Sequence, residues 1–269
     1  SHPWLPRRHR TVIQIGINKK GESPLRHSPA PRSGSATTTN TSSETKKTQT
    51  TFVHISKRTP YGGLWTRKTQ RYLEARVSAY DVIGLGVSTL DILALVDHFP
   101  AGEEIQRAHD MALQGGGPVA TAIVALARLG ARTAMLDAVG GDWRGRLICD
   151  ELSREGVDTA HLRHHNECSS ATACVLVERR TGARTIVYLP GSTPELSPDD
   201  LGPGLIESAR ILHLNGRHWE ACLAASRRAR AAGVRVSFDG GADRYRPEMR
   251  QLLPLTDIAI VARDFAARY

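Results

Sequence analysis

From Tyr80 onward the apolar positions come in short blocks that alternate between two periods. YDVIGLG (80–86) is a continuous apolar run closed by glycine, the pattern of a strand buried on both faces. PVATAIVALARLG (118–130) has helical spacing, with Pro118 suited to a first turn and Gly130 to a stop. RTAMLDAVG (132–140) reads as a strand. DWRGRLICDELSREG (142–156) reads as a helix with Asp142 at its N-cap and Gly156 past its end. The order recurs: ARILHLN (209–215) as strand, EACLAASRRARAAG (220–233) as helix, VRVSFDGG (234–241) as strand, PEMRQLL (247–253) as a short helix, DIAIVA (257–262) as strand. This alternation predicts a doubly wound, mostly parallel α/β sheet. Three stretches do not fit it: 92–97, the residues near 105–113, and the hairpin ATACVLVERRTGARTIVYLPG (171–191). They predict a small additional β element.

Residues 1–79 follow no such pattern. SPAPRSGSATTTNTSSETKKTQTT (28–51) is rich in Ser, Thr, Pro and Lys and cannot bury enough apolar surface to offset its ordering entropy. The segment is expected to be a largely disordered extension, with pieces such as TVIQIGI (11–17) forming only transient strands. Charge divides the chain at the same place. Residues 1–78 carry 15 Lys and Arg against 3 acids, a net +12, and residues 79–269 net −3. The overall +9 therefore describes the extension, whose basic character suits nucleic-acid binding, organelle targeting or a merely solvated tail. Aromatics are sparse there and no RNA-binding motif is present, which disfavours nucleic acid. The four cysteines have no CxxC spacing, so reduced thiols in a cytoplasmic protein are expected. No apolar run approaches the roughly 20 residues of a membrane span.

Few stretches carry chemistry. GLGVSTLD (84–91) lacks the third glycine and the following helix of a dinucleotide fingerprint, and Glu103 and Glu104 are weak candidates for a ribose-binding acid. It leaves Asp91 just past a strand end, either a ligand for sugar hydroxyls or a plain turn residue. Gly115, Gly116 and Gly117 lead directly into the helix beginning at Pro118. Such a loop lets a ligand reach backbone at a helix N-terminus, or simply needs positive φ. AHLRHHNEC (160–168) holds three His and a Cys, but its spacing matches no common zinc pattern. No nucleophile elbow, Walker loop or HExxH occurs.

Taken in order, GGGPVATAIVALARLGA (115–131) and DAVGGDWRGRLICDELSREGVDTAHL (137–162) resemble the PfkB, or ribokinase-like, carbohydrate kinases, as does the strand-to-Asp stretch YDVIGLGVSTLDIL. The resemblance runs from Tyr80 to Tyr269. It implies a ribokinase-like sheet with a β lid, ATP-dependent phosphorylation of a sugar hydroxyl, ATP and Mg²⁺ as cofactors, and a homodimer contact through the lid. It implies sugar binding by Asp91, Gly116 and Gly117, with Thr121 standing where many members have Asn. Two departures accompany it. The positions of the family's NxxE motif are Ala262, Arg263, Asp264 and Phe265, without Asn or Glu. The D-T-x-G-A-G-D segment that supplies the family's catalytic Asp, its anion hole and much of its adenine site does not occur. The chain is therefore expected to correspond to the N-terminal two-thirds of such a kinase and to be inactive by itself. A non-catalytic sugar-binding or regulatory protein is the alternative, and a nucleic-acid binder through the basic segment a more distant one.

Overall fold

The computed structural model describes residues 11–14, by backbone course alone, and 78–269 with the exception of Asp243. Among these residues one sheet runs in the order β1-β12-β11-β10-β2-β5-β6, with β7 also paired to β5. Its strands are β1 (Thr11–Gln14), β2 (Tyr80–Leu85), β5 (Thr133–Gly140), β6 (Val157–Asp158), β7 (Leu162–His165), β10 (Ala209–Leu214), β11 (Arg235–Gly240) and β12 (Ile258–Val261). Every pairing is parallel. A second sheet has the order β4-β3-β8-β9, from β3 (Thr89–Val96), β4 (Asp110–Gly116), β8 (Thr172–Glu178) and β9 (Arg184–Leu189). The doubly wound architecture and the separate small β element agree with the reading of the sequence.

Parallel strands covered on both faces must be apolar throughout, and β5 is buried at all eight positions. Helices α1 (Pro118–Arg128) and α2 (Trp143–Arg154) cover one face, setting Val119, Ile123, Ile148 and Leu152 against Val82, Met135 and Val139. Helix α3 (Trp219–Ala232) covers the other. Its buried stripe is small, Ala221, Cys222, Ala225 and Ala229, which lets it lie close to Leu212, Leu214 and Phe238. Full burial of a side chain such as Leu212 or Phe238 contributes about 1.5–3 kcal/mol. Asp142 caps α2 by accepting the Gly145 amide at 3.0 Å. Two short helices, α4 (Met249–Leu252) and α5 (Arg263–Arg268), follow.

Within the extension, Thr11–Gln14, part of the TVIQIGI piece read as strand-forming, is a strand lying parallel to β12, with Thr11 opposite Ile258 and Gln14 opposite Val261. The remaining expectation for 1–77 lies outside the described residues. No helix among the described residues is long and apolar enough to cross a membrane.

All four cysteines are free thiols. Burial pushes the Cys222 thiol up to about 12, and burial, then Asp150 and Asp137, raise that of Cys149. Cys174 is exposed. At pH 8 the thiolate fraction of Cys222 is about 1 in 10⁴, so it is unreactive while the fold persists. A chromogenic disulfide reagent should reach Cys222 only after denaturant is added. Fast modification of Cys222 in native protein would contradict the packing of α3.

Candidate functional site

Strand β2 lies between β10 and β5, and the chain leaves these strands in different directions, so a crevice opens beyond their carboxyl ends. Ligands of open α/β sheets bind in such crevices. Here it is a cleft of 1340 Å³, walled on one side by the small sheet and on the other by the loops after β10 and β11. The small sheet stands over it as a lid.

The register of the lid decides which side chains face the cleft. Asp91 lies opposite Gln114 and beside Ala173, and Ala173 lies opposite Tyr188. That row, at the base of the lid, lines the cleft. Asp91 is partly buried, and its Oδ1 accepts the Thr89 hydroxyl at 2.6 Å, leaving Oδ2 for another donor. Gly116 lies directly against this carboxylate: a side-chain carbon there would fall on it. Gly117 has φ +91°, and any side chain there would strike the Val87 carbonyl. The two glycines thus let β4 turn into α1 while pressed against Asp91 and the 87–88 backbone. The sequence reading had both approaching ligand. The structure places Gly117 and Thr121 on the cleft with Asp91, whereas Gly116 faces Asp91 and a 470 Å³ hollow behind the loop. Thr121 borders both spaces. Glu151 of α2 holds the loop from behind by accepting the Gly115 amide at 2.5 Å.

Under the cleft floor lies a buried pair that the sequence reading missed. Asp137, on β5, is 3% exposed and His218 is fully buried. Asp137 accepts four hydrogen bonds: from the Ser88 amide (2.6 Å) and hydroxyl (2.7 Å), the Ala138 amide (2.8 Å) and His218 Nε2 (2.7 Å). The Leu196 amide donates to His218 Nδ1 at 3.0 Å. Nδ1 is therefore an acceptor, which places the imidazole proton on Nε2 and makes it the donor to Asp137. His218 has φ +61° and ψ +62°, unusual for a residue other than glycine. It holds this left-handed conformation at the start of α3 because both ring nitrogens are engaged.

The far wall is basic, a second feature the sequence reading missed. On it Arg217, Arg244 and Arg246 line the cleft, with Glu195, Asn215 and Asp239 among them, and Arg184 lines the same cleft from β9 of the lid. Arg217 Nη1 donates to Glu195 at 3.3 Å, and its amide donates to Asn215 Oδ1 at 3.2 Å. Arg246 donates to the Gly216 carbonyl at 3.1 Å with its guanidinium over the Trp219 ring. The only sequence signal was Arg-x-Arg shortly after a strand ending in glycines, which is weak by itself. At the divergent 262–265 stretch, Ala262 starts α5 and Phe265 is core, packed against Phe238 and Tyr245 at 5.7 and 5.4 Å between ring centroids.

A profile of the PfkB family, described as pfkB family carbohydrate kinase, matches residues 81–268. The chain belongs to the PfkB family. Among curated relatives, mouse ketohexokinase is 23% identical over 193 residues, covering 69% of this chain and 64% of that protein. Among solved structures, a putative ribokinase from Agrobacterium tumefaciens superposes with TM-score 0.62 at 26% identity, covering 70% of this chain and 61% of that one. A ribokinase from Arabidopsis thaliana complexed with ribose and ATP gives TM-score 0.56 at 25% identity, covering 67% and 59%. The PfkB chain described here thus spans about 60% of the length of these relatives.

The buried pair yields a test of the PfkB domain's integrity. His218→Ala removes one of the donors to Asp137 and leaves the Leu196 amide without its acceptor. Losing a hydrogen bond to a buried carboxylate costs about 1.5–3 kcal/mol. Denaturant unfolding should show that loss in His218→Ala and a smaller one in His218→Asn, whose side chain tolerates the left-handed conformation. Equal stability of His218→Ala and the unchanged protein would mean that Asp137 is held without the histidine.

Proposed function

We propose that this PfkB domain binds a sugar between Asp91 and the lid and presents one of its hydroxyls for phosphorylation by ATP. The observation that carries this reading is the position of Asp91. Its partly buried carboxylate is anchored through one oxygen by Thr89 and lines, with Gly117 and Thr121, the crevice at the sheet's carboxyl ends. A carboxylate so placed accepts two vicinal hydroxyls, and Thr121 adds a hydroxyl from the first turn of α1. Gly116 gives Asp91 its room, and Gly117 lets the loop approach. The lid, once lowered, excludes water from the bound sugar.

The guanidinium groups opposite fit a polyphosphate. Arg217, Arg244 and Arg246 would hold the phosphates of ATP, and Asp239, on β11, is a cleft-lining carboxylate that would take Mg²⁺. Bound there, MgATP supplies the transferable phosphoryl group. The chain's own contribution is to position the hydroxyl and neutralise negative charge, which is most of what phosphoryl transfer asks of a protein. Residues 80–269 carry no GAGD segment, so ligand binding is the appropriate readout for this chain.

The lid's outer face supports a second copy as partner. Met111, Leu113, Val187 and Leu189 lie on the side away from the cleft and are 65%, 58%, 68% and 54% exposed. Contiguous apolar surface of this kind marks an interaction site. We propose that two lids pair through it.

Titration calorimetry with a panel of hexoses, pentoses and sugar phosphates should show saturable binding. Asp91→Ala should weaken it at least tenfold, since hydrogen bonds to a charged group contribute about 1.5–3 kcal/mol each. Arg246→Ala should lower ATP affinity several-fold and leave sugar affinity unchanged. Sugar binding that survives Asp91→Ala would move the site elsewhere. Sedimentation velocity should show a dimer that Val187→Lys converts to monomer; a monomer at every concentration would rule out pairing through the lid.

A further inference from the structure

We infer that the sugar accepted by this cleft carries an apolar or planar aglycone, as a nucleoside-like riboside does, and is not a free monosaccharide. The inference rests on the reading that Asp91 binds the sugar, and it comes from the order of side chains up the lid. The base row is polar, with Gln114, Asp91 and Tyr188 around the small Ala173. Ala173 leaves a recess between the carboxylate and the phenol.

Two residues further along each strand, about 7 Å outward, the row is Ala112, Leu93, Val175 and Ile186. None of these side chains can donate or accept a hydrogen bond. Leu93, Val175 and Ile186 line the cleft, and in the next row outward Val177 lies opposite Arg184, which lines it too. Ile186 and Tyr188 are each 52% exposed, so the wall presents surface that nothing in the described chain covers.

A sugar held at Asp91 meets this wall with whatever projects outward along the lid. A hydroxyl projecting there loses water and finds no partner when the lid descends, which penalises binding. A flat or apolar substituent finds dispersion contacts and removes the exposed isoleucine and tyrosine from water. The cleft therefore discriminates at the substituent, and the residues that set the discrimination are Leu93, Val175 and Ile186.

The test compares matched pairs on the full chain by titration calorimetry: ribose against uridine and inosine, and glucose against phenyl β-D-glucoside. At least one glycoside should bind ten times or more tightly than its free sugar. Ile186→Thr and Ile186→Ser sit at an exposed position, so both should fold. Each should weaken glycoside binding about three- to tenfold and leave the free sugar unchanged. Free sugars binding as tightly as their glycosides, with Ile186→Thr altering neither, would overturn this inference and leave the sugar site at Asp91 standing. If no compound binds, or if binding is indifferent to Asp91→Ala, the sugar reading and this inference fall together.

Discussion

The carboxylate of Asp137 is the constraint on which the site depends. A buried charge is tolerated only when its acceptors are filled, and here four donors fill them without any cation. The donors come from different parts of the chain. Ser88 belongs to the turn between β2 and the lid, and His218 starts α3 just after the Arg217 loop. His218 in turn fixes Leu196, in the segment by which the chain leaves the lid. Ser88 sits between Val87, whose carbonyl lies against Gly117, and Thr89, whose hydroxyl holds Asp91. One desolvated carboxylate thus sets the registration of Asp91, the glycine loop and the basic wall.

That registration gives the lid its geometry. All four lid strands are rooted near this network or near Asp142, whose carboxylate takes the amides of Gly145 and Ser170 at 3.0 and 3.3 Å. Beyond those roots the lid is a two-faced sheet with apolar side chains on both sides, a combination costly for an isolated sheet in water. The inner face is graded, polar at its base, apolar in the next row and carrying Arg184 opposite Val177 beyond it. The outer face is largely apolar, with Thr185 among its exposed residues.

The basic wall shows why bulk charge is a poor guide to a site. Residues 79–269 net −3, yet arginines from the lid and from the loops after β10 and β11 converge on one cleft. Arg246 is oriented by the Gly216 carbonyl and the Trp219 ring, and Arg217 by Glu195. These are neutral or partly compensating partners that aim a guanidinium without extinguishing its charge.

The sequence by itself determined the alternation of strands and helices, because a parallel sheet covered on both faces requires continuous apolar runs, and caps such as Asp142 and Pro118 mark helix starts locally. It also singled out Asp91 and the glycines before α1, since a carboxylate at a strand end and consecutive glycines at a helix start are local signals. Only the tertiary structure decided what those glycines do: the steric demand on Gly116 comes from Asp91, twenty-five positions earlier, and is visible only once β3 and β4 pair. The Asp137–His218 pair spans 81 residues, and neither member differs from an ordinary strand Asp or loop His until the fold buries both. The same holds for the arginine wall and for Thr11–Gln14 beside β12. Pairing over long separations leaves no mark on local pattern, so chemistry built from it becomes legible only when the chain is folded.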